Sequence, residues 1–388
     1  MKIKSISYSQ YDESSRKWSL SDLTLNSVNL VVRRNASGKT KILNLVNSLA
    51  RLLAGETKLV YVSGNWDVAF EHEGKLLRYV LQYDDAKVKN EQFVFDGKEY
   101  LFRGEGGFGK LFAMKQGALV EFQAPEDELA AVVRRDSLQH PFFEPLHEWG
   151  KSVLHFSFGR ALGKDNFAVI AKNALQEVNP KDTEAVVAIY RKAESEFTDE
   201  FKRMVKDDMA SLDYEIEDVG TKSPVSIVIN TPFAGQLVGL YVKEKTLPDI
   251  TDQFEMSQGM FRVLSLIVQL NYAVLSQKPR CILIDDVGEG LDFERACALI
   301  DTLMRKAKEF PVVQLIMATN DRFVMNRVPL STWSVLHRDG GSVRVFNYQN
   351  SKKRFDEFKF TGLNNFDFFA TDFVKEGENP REQAGRVR

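Results

Sequence analysis

Residues 29–43, NLVVRRNASGKTKIL, constrain this chain more than any other stretch. A short apolar run leads into a small polar loop ending Gly38-Lys39-Thr40, and a helical repeat of apolar residues follows. A phosphate-binding loop needs this order: backbone N–H groups wrap the phosphates, the lysine reaches the outer ones, and the threonine hydroxyl takes Mg²⁺. The pattern is incomplete, because Arg33 stands where the opening glycine belongs. A bare Gly-Lys-Thr is also short enough to recur by chance, and an ordinary strand-to-helix turn reads the same way.

A chain of 388 residues is long for one compact core, which predicts one large domain with an elaborated lobe, or two domains. The net charge of -2 argues against a broadly cationic surface that coats DNA and leaves a local basic groove open. Cys281 and Cys297 each sit inside an apolar pattern and read as small buried hydrophobes. His72, His140, His147, His155 and His337 show no metal-ligand spacing. The N-terminus alternates like a strand and lacks the apolar block of a signal peptide, and no apolar run approaches the roughly 18 residues of a membrane span. These features predict a reducing cytoplasmic setting and no membrane partner.

Strand patterns occupy residues 1–32 and a helix is predicted over 39–54, with Ile42, Leu43, Val46, Leu49, Leu52 and Leu53 at helical spacing. From 56 to 123 the pattern becomes short alternating runs broken by turns, which predicts an antiparallel meander. Residues 126–215 turn helical, most clearly over 184–208; strand signals return at 226–229 and 237–242. Beyond 257, a helix at 260–276, a strand at 281–284, a helix at 293–309 and a strand at 312–318 make the alternation of a parallel α/β sheet. The polar tail from 374 reads as disordered.

The stretch Cys281-Ile-Leu-Ile-Asp285-Asp286 is an apolar run that ends in two carboxylates. A buried strand delivering an acid at its C-terminal end suits Mg²⁺, a hard ion that takes oxygen ligands. A second acid beside it can orient or deprotonate an attacking water. Taken alone, a core strand running into a capped turn fits those residues equally. They are followed at once by Gly288-Glu-Gly-Leu-Asp292 and preceded by Met256-Ser257-Gln258-Gly259-Met260-Phe261-Arg262, which opens a strongly apolar helix. A further apolar strand ends Ala318-Thr319-Asn320-Asp321.

As an ordered set these stretches resemble the ATP-binding cassette ATPase domain. More narrowly, they resemble the soluble branch shared by chromosome-structure proteins, RecF-like repair proteins and the overcoming-lysogenisation-defect ATPases of phage defence. The resemblance implies an α/β fold with an ABC-ATPase-like parallel-sheet core, an antiparallel β arm and a helical insertion. The corresponding segments are 1–125 for the first half of the ATPase lobe with loop and arm, 126–222 for the insert, 223–373 for the second half, and 374–388 for the tail. It implies ATP and Mg²⁺ as cofactors. Lys39 and Thr40 match the phosphate-binding lysine and the magnesium hydroxyl, and Asn35, Ala36, Ser37 and Gly38 match the loop backbone. Ser257 and Gly259 match the signature that meets the γ-phosphate held by an opposite subunit, and Gly290, Leu291 and Asp292 match a turn lining the dimer interface. Asp285 matches the magnesium acid, Asp286 stands where the family has its catalytic Glu, and Asn320 where it has a phosphate-sensing His. No motif places the magnesium-coupling glutamine; Gln123 is the candidate, against a plain surface glutamine. Trp18 or Tyr11 is the candidate adenine-stacking aromatic, against a core role for either.

Four family positions are altered: Arg33 and Ala36 replace glycines, Asp286 a glutamate and Asn320 a histidine. Arg33 is strained if its position needs a positive φ, and it adds charge beside Arg34. Asp286 is one methylene short, and a misplacement of about 1 Å can lower a rate by roughly a hundredfold. Asn320 hydrogen-bonds a phosphate without carrying charge. The expectation is an ATP-binding, slowly hydrolysing protein. Its nucleotide-gated homodimer or higher oligomer controls a separate effector, such as a nuclease, in antiphage defence. The alternative is a DNA-clamping ATPase with Arg134-Arg135, Lys202-Arg203 and Lys352-Lys353-Arg354 as phosphate contacts.

Overall fold

The computed structural model describes residues 1–375 apart from 13, 34–37, 60, 171–178, 180 and 227–234. Strands β1 (Lys2–Gln10), β2 (Trp18–Thr24) and β3 (Val28–Arg33) precede helix α1 (Lys39–Leu53). Six strands follow: β4 (Ser63–His72), β5 (Lys75–Asp84), β6 (Lys87–Phe95), β7 (Lys98–Arg103), β8 (Phe108–Ala113) and β9 (Ala118–Gln123). Then come α2 (Ala130–Val133), α3 (Glu144–Ser152), β10 (Val153–Ser157), β11 (Ala168–Ile170) and α4 (Val186–Ser211), the last broken at Thr198, and β12 (Ile216–Lys222), β13 (Gln236–Glu244) and β14 (Thr251–Asp252). The C-terminal part runs α5 (Gln258–Leu275), β15 (Arg280–Asp285), α6 (Phe293–Glu309), β16 (Val313–Ala318), α7 (Arg322–Arg327), β17 (Trp333–Asp339), β18 (Ser342–Asn347), α8 (Lys352–Lys359) and α9 (Asn365–Ala370).

One 14-stranded sheet has the order β10-β15-β16-β3-β17-β18-β2-β1-β4-β5-β6-β7-β8-β9. Its first five strands are parallel neighbours, and β4 to β9 extend the other end as consecutive antiparallel pairs. A smaller sheet of β11, β13, β12 and β14 stands apart from it. The parallel block is covered on both faces, as parallel sheets require. Val31, Cys281, Leu283, Ile316 and Ala318 point to the layer holding α1 and α3, whereas Leu30, Val32, Ile282, Ile284, Leu315 and Met317 point to the layer of α4, α5 and α6. That two-residue alternation follows from the pleat, and each fully buried Leu or Ile contributes on the order of 1.5–3 kcal/mol. Helix α1 follows from apolar residues at helical spacing, with Gly55 (φ 71) closing its C-terminus in the left-handed region.

The segment read as a helical insert holds more than helices. Strand β10 pairs in parallel with β15, Val153 beside Cys281 and Ser157 beside Asp285, so this stretch supplies the edge strand of the parallel block. The strand read at 226–229 lies outside the described residues apart from Ser226, and so does the tail apart from Val374 and Lys375, which end a short helical turn. No helix among the described residues is long and apolar enough to cross a membrane.

Candidate nucleotide site at the ends of the parallel strands

The parallel register brings the site together. Ile284 lies beside Met317, Ala318 beside Val31, and Leu336 beside Arg33, so β15, β16, β3 and β17 end on one edge of the sheet. Crevices at the C-terminal ends of such strands are where α/β sheets bind ligands. The alternation that turns Cys281 and Leu283 toward α1 also turns Asp285 that way. Asp285 is buried, and its Oδ1 has no hydrogen-bond partner. Lys39, the first residue of α1, is 7% exposed; burial lowers its pKa, while the nearby charges of Asp286 and Asp285 oppose that. Thr40, next along, is exposed.

Unpaired buried carboxylate oxygens are rare and call for an explanation. Asp285 and the Thr40 hydroxyl are hard oxygen donors of the kind Mg²⁺ takes, so the donor set fits that ion. Among the described residues no group of three or more His, Cys, Asp or Glu side chains could hold a metal. A metal here would therefore complete its shell with phosphate and water, which is how Mg²⁺ is commonly held.

Asp286 follows in a left-handed conformation, φ 54, which Asp tolerates better than most residues. Burial raises its pKa, helped by Asp285 and Glu289 and opposed by Lys39. Its carbonyl accepts the Glu289 N–H, and Gly288 (φ 89) and Gly290 (φ 78) complete a tight turn. Asn320 is exposed at the end of β16, between Thr319, whose hydroxyl donates to the Val287 carbonyl, and Asp321, which caps α7. Ser257 is exposed at the N-cap of α5 and accepts the Met260 N–H at 3.2 Å. Gly259 lies against the turn, since a Cβ there would stand 3.2 Å from Leu291 Cδ2 and 3.4 Å from the Gly290 carbonyl. Asp292 caps α6 by accepting the Arg295 N–H at 2.9 Å.

The sequence pattern gives Arg262 no role of its own. Its guanidinium donates to the carbonyls of Arg160 at 2.8 Å, Gly159 at 3.1 Å and Glu289 at 3.2 Å. It thus ties the first turn of α5 to the turn after β10 and to the turn after the acid pair. His155 was also missed as a neighbour of the acids: it lies on the α1 face of β10, its buried Nε2 is unpartnered, and burial lowers its pKa against the pull of Asp285. Neither residue has a local signal, because each acquires its neighbours only when β10 pairs with β15.

Gln123 does not reach this site. It ends β9, ten positions from β3 in the sheet order, and its amide donates to the Gly106 carbonyl at 3.4 Å. Its carbonyl accepts from Arg134 Nη2 at 2.6 Å, and a Cβ on Gly55 would stand 3.2 Å from Val132 Cγ1, so this end of the arm folds back to the C-terminal end of α1, a helix length of roughly 22 Å from Lys39. The strand beside β15 is β10, and the turn after it is what reaches the acids: a Cβ on Gly159 would stand 2.5 Å from Glu289 Oε2 and 3.7 Å from Asp286 Cβ. At Arg33 the condition for strain is not met. It takes ordinary extended backbone in β3, with no positive φ, so the expected strain is absent. Asn35, Ala36 and Ser37 lie outside the described residues.

A cleft of about 690 Å³ opens beside Gly38 and Thr40, and Trp18, Tyr11, Tyr8 and Tyr61 line it with Lys41 and Arg338. Both candidate stacking aromatics are therefore at the loop. The ring of Trp18 is mostly buried, and the Lys41 ammonium sits 3.8 Å over it. Burial, then the charge of Arg338, pushes Lys41 down to about 8.

No protein-family model and no curated protein matches the sequence. Solved structures do match in fold. An SmcHead bound to the C-winged helix domain of ScpA is similar over 91% of this chain and 100% of its own, with a TM-score of 0.53 and 12% identity. An SMC head domain from Thermotoga maritima matches over 89% and 99% of the two chains with a TM-score of 0.45 and 12% identity. A Smc head domain with an extended coiled coil, bound to the C-terminal domain of ScpA derived from Pyrococcus furiosus, matches over 92% and 99% with a TM-score of 0.47 and 11% identity. The first of these carries the conclusion: the chain has the fold of an SMC head domain.

Proposed function

We propose that this chain binds MgATP at the ends of β3 and β15, hydrolyses it slowly, and uses the bound state to close an oligomer that controls a separate effector protein, as in antiphage defence. The observation that carries the nucleotide part is Lys39, buried at the start of α1 within electrostatic reach of Asp285 and Asp286, together with the unpartnered Asp285 Oδ1. Lys39 and the first N–H groups of α1 bind the outer phosphates, where the helix dipole also favours negative charge. Thr40 and Asp285 hold Mg²⁺, which neutralises phosphate charge. Asp286 orients the water, with a reach one methylene shorter than a glutamate's. Ser257, exposed at the N-cap of α5, meets the γ-phosphate held by a second copy.

The DNA-clamping alternative has less support. Arg135 pairs with Glu144 at 2.9 Å, Lys202 with Asp218 at 2.6 Å and Arg354 with Glu357 at 3.1 Å, while Lys352 pairs with Asp356. These basic clusters meet carboxylates of their own chain, which weakens the local positive potential that phosphate contacts need.

The test is thermal unfolding with and without MgATP, combined with the mass of the assembly. A ligand at a hundred times its Kd stabilises the folded state by about 2.7 kcal/mol. The wild type should gain stability and assemble with MgATP, Lys39→Ala should do neither, and Ser257→Arg should gain stability without assembling. Equal behaviour of wild type and Lys39→Ala would remove the site, and normal assembly of Ser257→Arg would remove the shared closure.

A further inference from the structure

Strand β9 is the last in the order of the large sheet, so one of its edges has no neighbouring strand. Six pairs, from Phe108 with Gln123 to Ala113 with Ala118, tie its other edge to β8. The Ala124 N–H donates to the Gly107 carbonyl at 3.0 Å, which continues that ladder by one pair and sets its phase. In an antiparallel ladder, residues that exchange bonds alternate with residues that do not. Phe122, Val120 and Ala118 therefore turn their N–H and C=O groups to β8, whereas Leu119, Glu121 and Gln123 turn theirs outward. The Gln123 carbonyl is met from that outer side by Arg134 Nη2 at 2.6 Å. Among the described residues, nothing meets the outward groups of Leu119 and Glu121.

An open edge is a template for another strand, and sheet proteins usually blunt it with a proline, a bulge or a lysine. Strand β9, ALVEFQ, carries none of these, and its pairing with β8 runs without a shift. Its exposed side chains are largely apolar: Leu119 is 40% exposed and Val120 37%, and Phe108 on β8 is more exposed still.

The window itself selects the occupant. Its open groups belong to two residues placed symmetrically about Val120, and both ends are closed. Arg134 holds the Gln123 carbonyl, and the Gly117 N–H in the turn between β8 and β9 is committed to the Ala113 carbonyl at 2.9 Å. A second β9 running antiparallel has three registers that bring open groups together. Setting Glu121 against Glu121 places like charges directly opposite, which is destabilising. Setting Leu119 against Leu119 leaves Glu121 facing the committed Gly117. Setting Val120 against Val120 places each Leu119 opposite the other copy's Glu121, so every open group exchanges a bond and two apolar side chains meet on the axis. Glu121 then keeps Lys110 of its own β8 across the ladder.

We propose that two copies of this chain join edge to edge through β9, antiparallel about Val120, so that one sheet runs through both. This contact is separate from the nucleotide site and needs no nucleotide. A chain with two different self-complementary contacts, this one and the ATP-gated closure, builds assemblies larger than a dimer.

Sedimentation equilibrium without nucleotide, at protein concentrations up to about 100 μM, tests the contact, because an interface of small area gives micromolar rather than nanomolar affinity. The wild type and Ser257→Arg should both dimerise. Leu119→Pro removes an outward N–H and leaves the β8 ladder whole, and Val120→Lys sets two cations on the axis; each should weaken the dimer by about tenfold or more. Should Leu119→Pro not fold, Val120→Lys, at an exposed position, carries the test. The register is read by mild oxidation in a Cys297→Ser background, with Cys281 buried. Val120→Cys should cross-link two copies, because residues facing each other on the axis lie within disulfide range, and Leu119→Cys should not. A monomeric wild type, or a dimer indifferent to both substitutions, overturns the proposal. Cross-linking through position 119 in preference to 120 overturns the register.

Discussion

Asp208 offers a direct test of how the helical layer holds the C-terminal half of α5 in place. It lies in α4, 3% exposed, and accepts from Lys306 Nζ of α6 at 2.7 Å, Asn271 Nδ2 of α5 at 2.8 Å and Arg305 Nη2 at 3.0 Å. Lys306 is 2% exposed and also donates to Asn271 Oδ1 at 2.7 Å. Three helices are thus joined by one buried polar cluster. Asp208→Ala leaves the Lys306 ammonium in a dry interior with a single neutral acceptor. Breaking a buried pair from one side costs about 3–5 kcal/mol, a large part of the roughly 5–15 kcal/mol by which folded domains are stable. The half-exposed head of Arg305 adds little, because such pairs are screened by water. Removing both ends differs in kind: Asp208→Leu with Lys306→Met takes away the charge that would be stranded. What remains is the unsatisfied Asn271, at about 1–3 kcal/mol. Urea unfolding measures both effects, as a fall in midpoint at constant slope. The single variant should lose more stability than the double. A loss below about 1 kcal/mol for Asp208→Ala, or a double variant as unstable as the sum of two single ones, would refute the reasoning.

Other expectations concern pH, the Arg262 tie, the loop glycine and the corrected glutamine. Burial pushes the Asp252 carboxyl up, but donors from the Ser226 hydroxyl and the N–H groups of Ser226, Val225 and Phe254 outweigh it and hold the group below its ordinary value. A depressed acid contributes stability above its unfolded pKa, near 4, and loses it as pH falls through the folded value. Asp252→Asn should therefore lower stability at pH 7 by about 1–2 kcal/mol, with the gap to wild type closing below about pH 4 in unfolding titrations. Arg262→Ala loses three bonds to backbone carbonyls and should slow turnover at least tenfold while MgATP affinity changes only a few-fold; equal losses in both would make it a general fold residue. Gly38→Ala drives a Cβ into the Arg33 guanidinium at a φ of 156 and should weaken MgATP by more than about tenfold in calorimetry, a scale set by the 1–3 kcal/mol of a strained backbone position. Gln123→Ala should leave MgATP affinity and turnover at wild-type values, and a clear loss in either would return that residue to the site.

The residues of the site were individually legible because each stands at the end of an element with a strong local pattern. Helical spacing marks α1 directly after Gly38, the run of apolar residues marks β15 up to Asp285, and the caps Ser257 and Asp292 precede α5 and α6. Periods of two and of 3.6 record which face of an element is buried, so they place an element's ends to within a residue or two. Strand neighbours carry no such record, because pairing partners are set by contacts between residues far apart in the chain.

Sequence alone therefore determined the α/β alternation, the loop ending in Lys39 and Thr40, and the acid pair at the end of a buried strand. It did so through side-chain periodicity and capping chemistry, both local. Tertiary structure alone decided that β10 pairs with β15, that Gln123 lies at the far edge of the sheet, and that Arg262 ties three turns together. It also decided that Arg33 lies against Gly38 with no backbone strain, and that Asp285 Oδ1 is left unpaired within electrostatic reach of Lys39. Those facts depend on which strands lie side by side and on which direction a side chain takes at the end of one, and only long-range packing settles either.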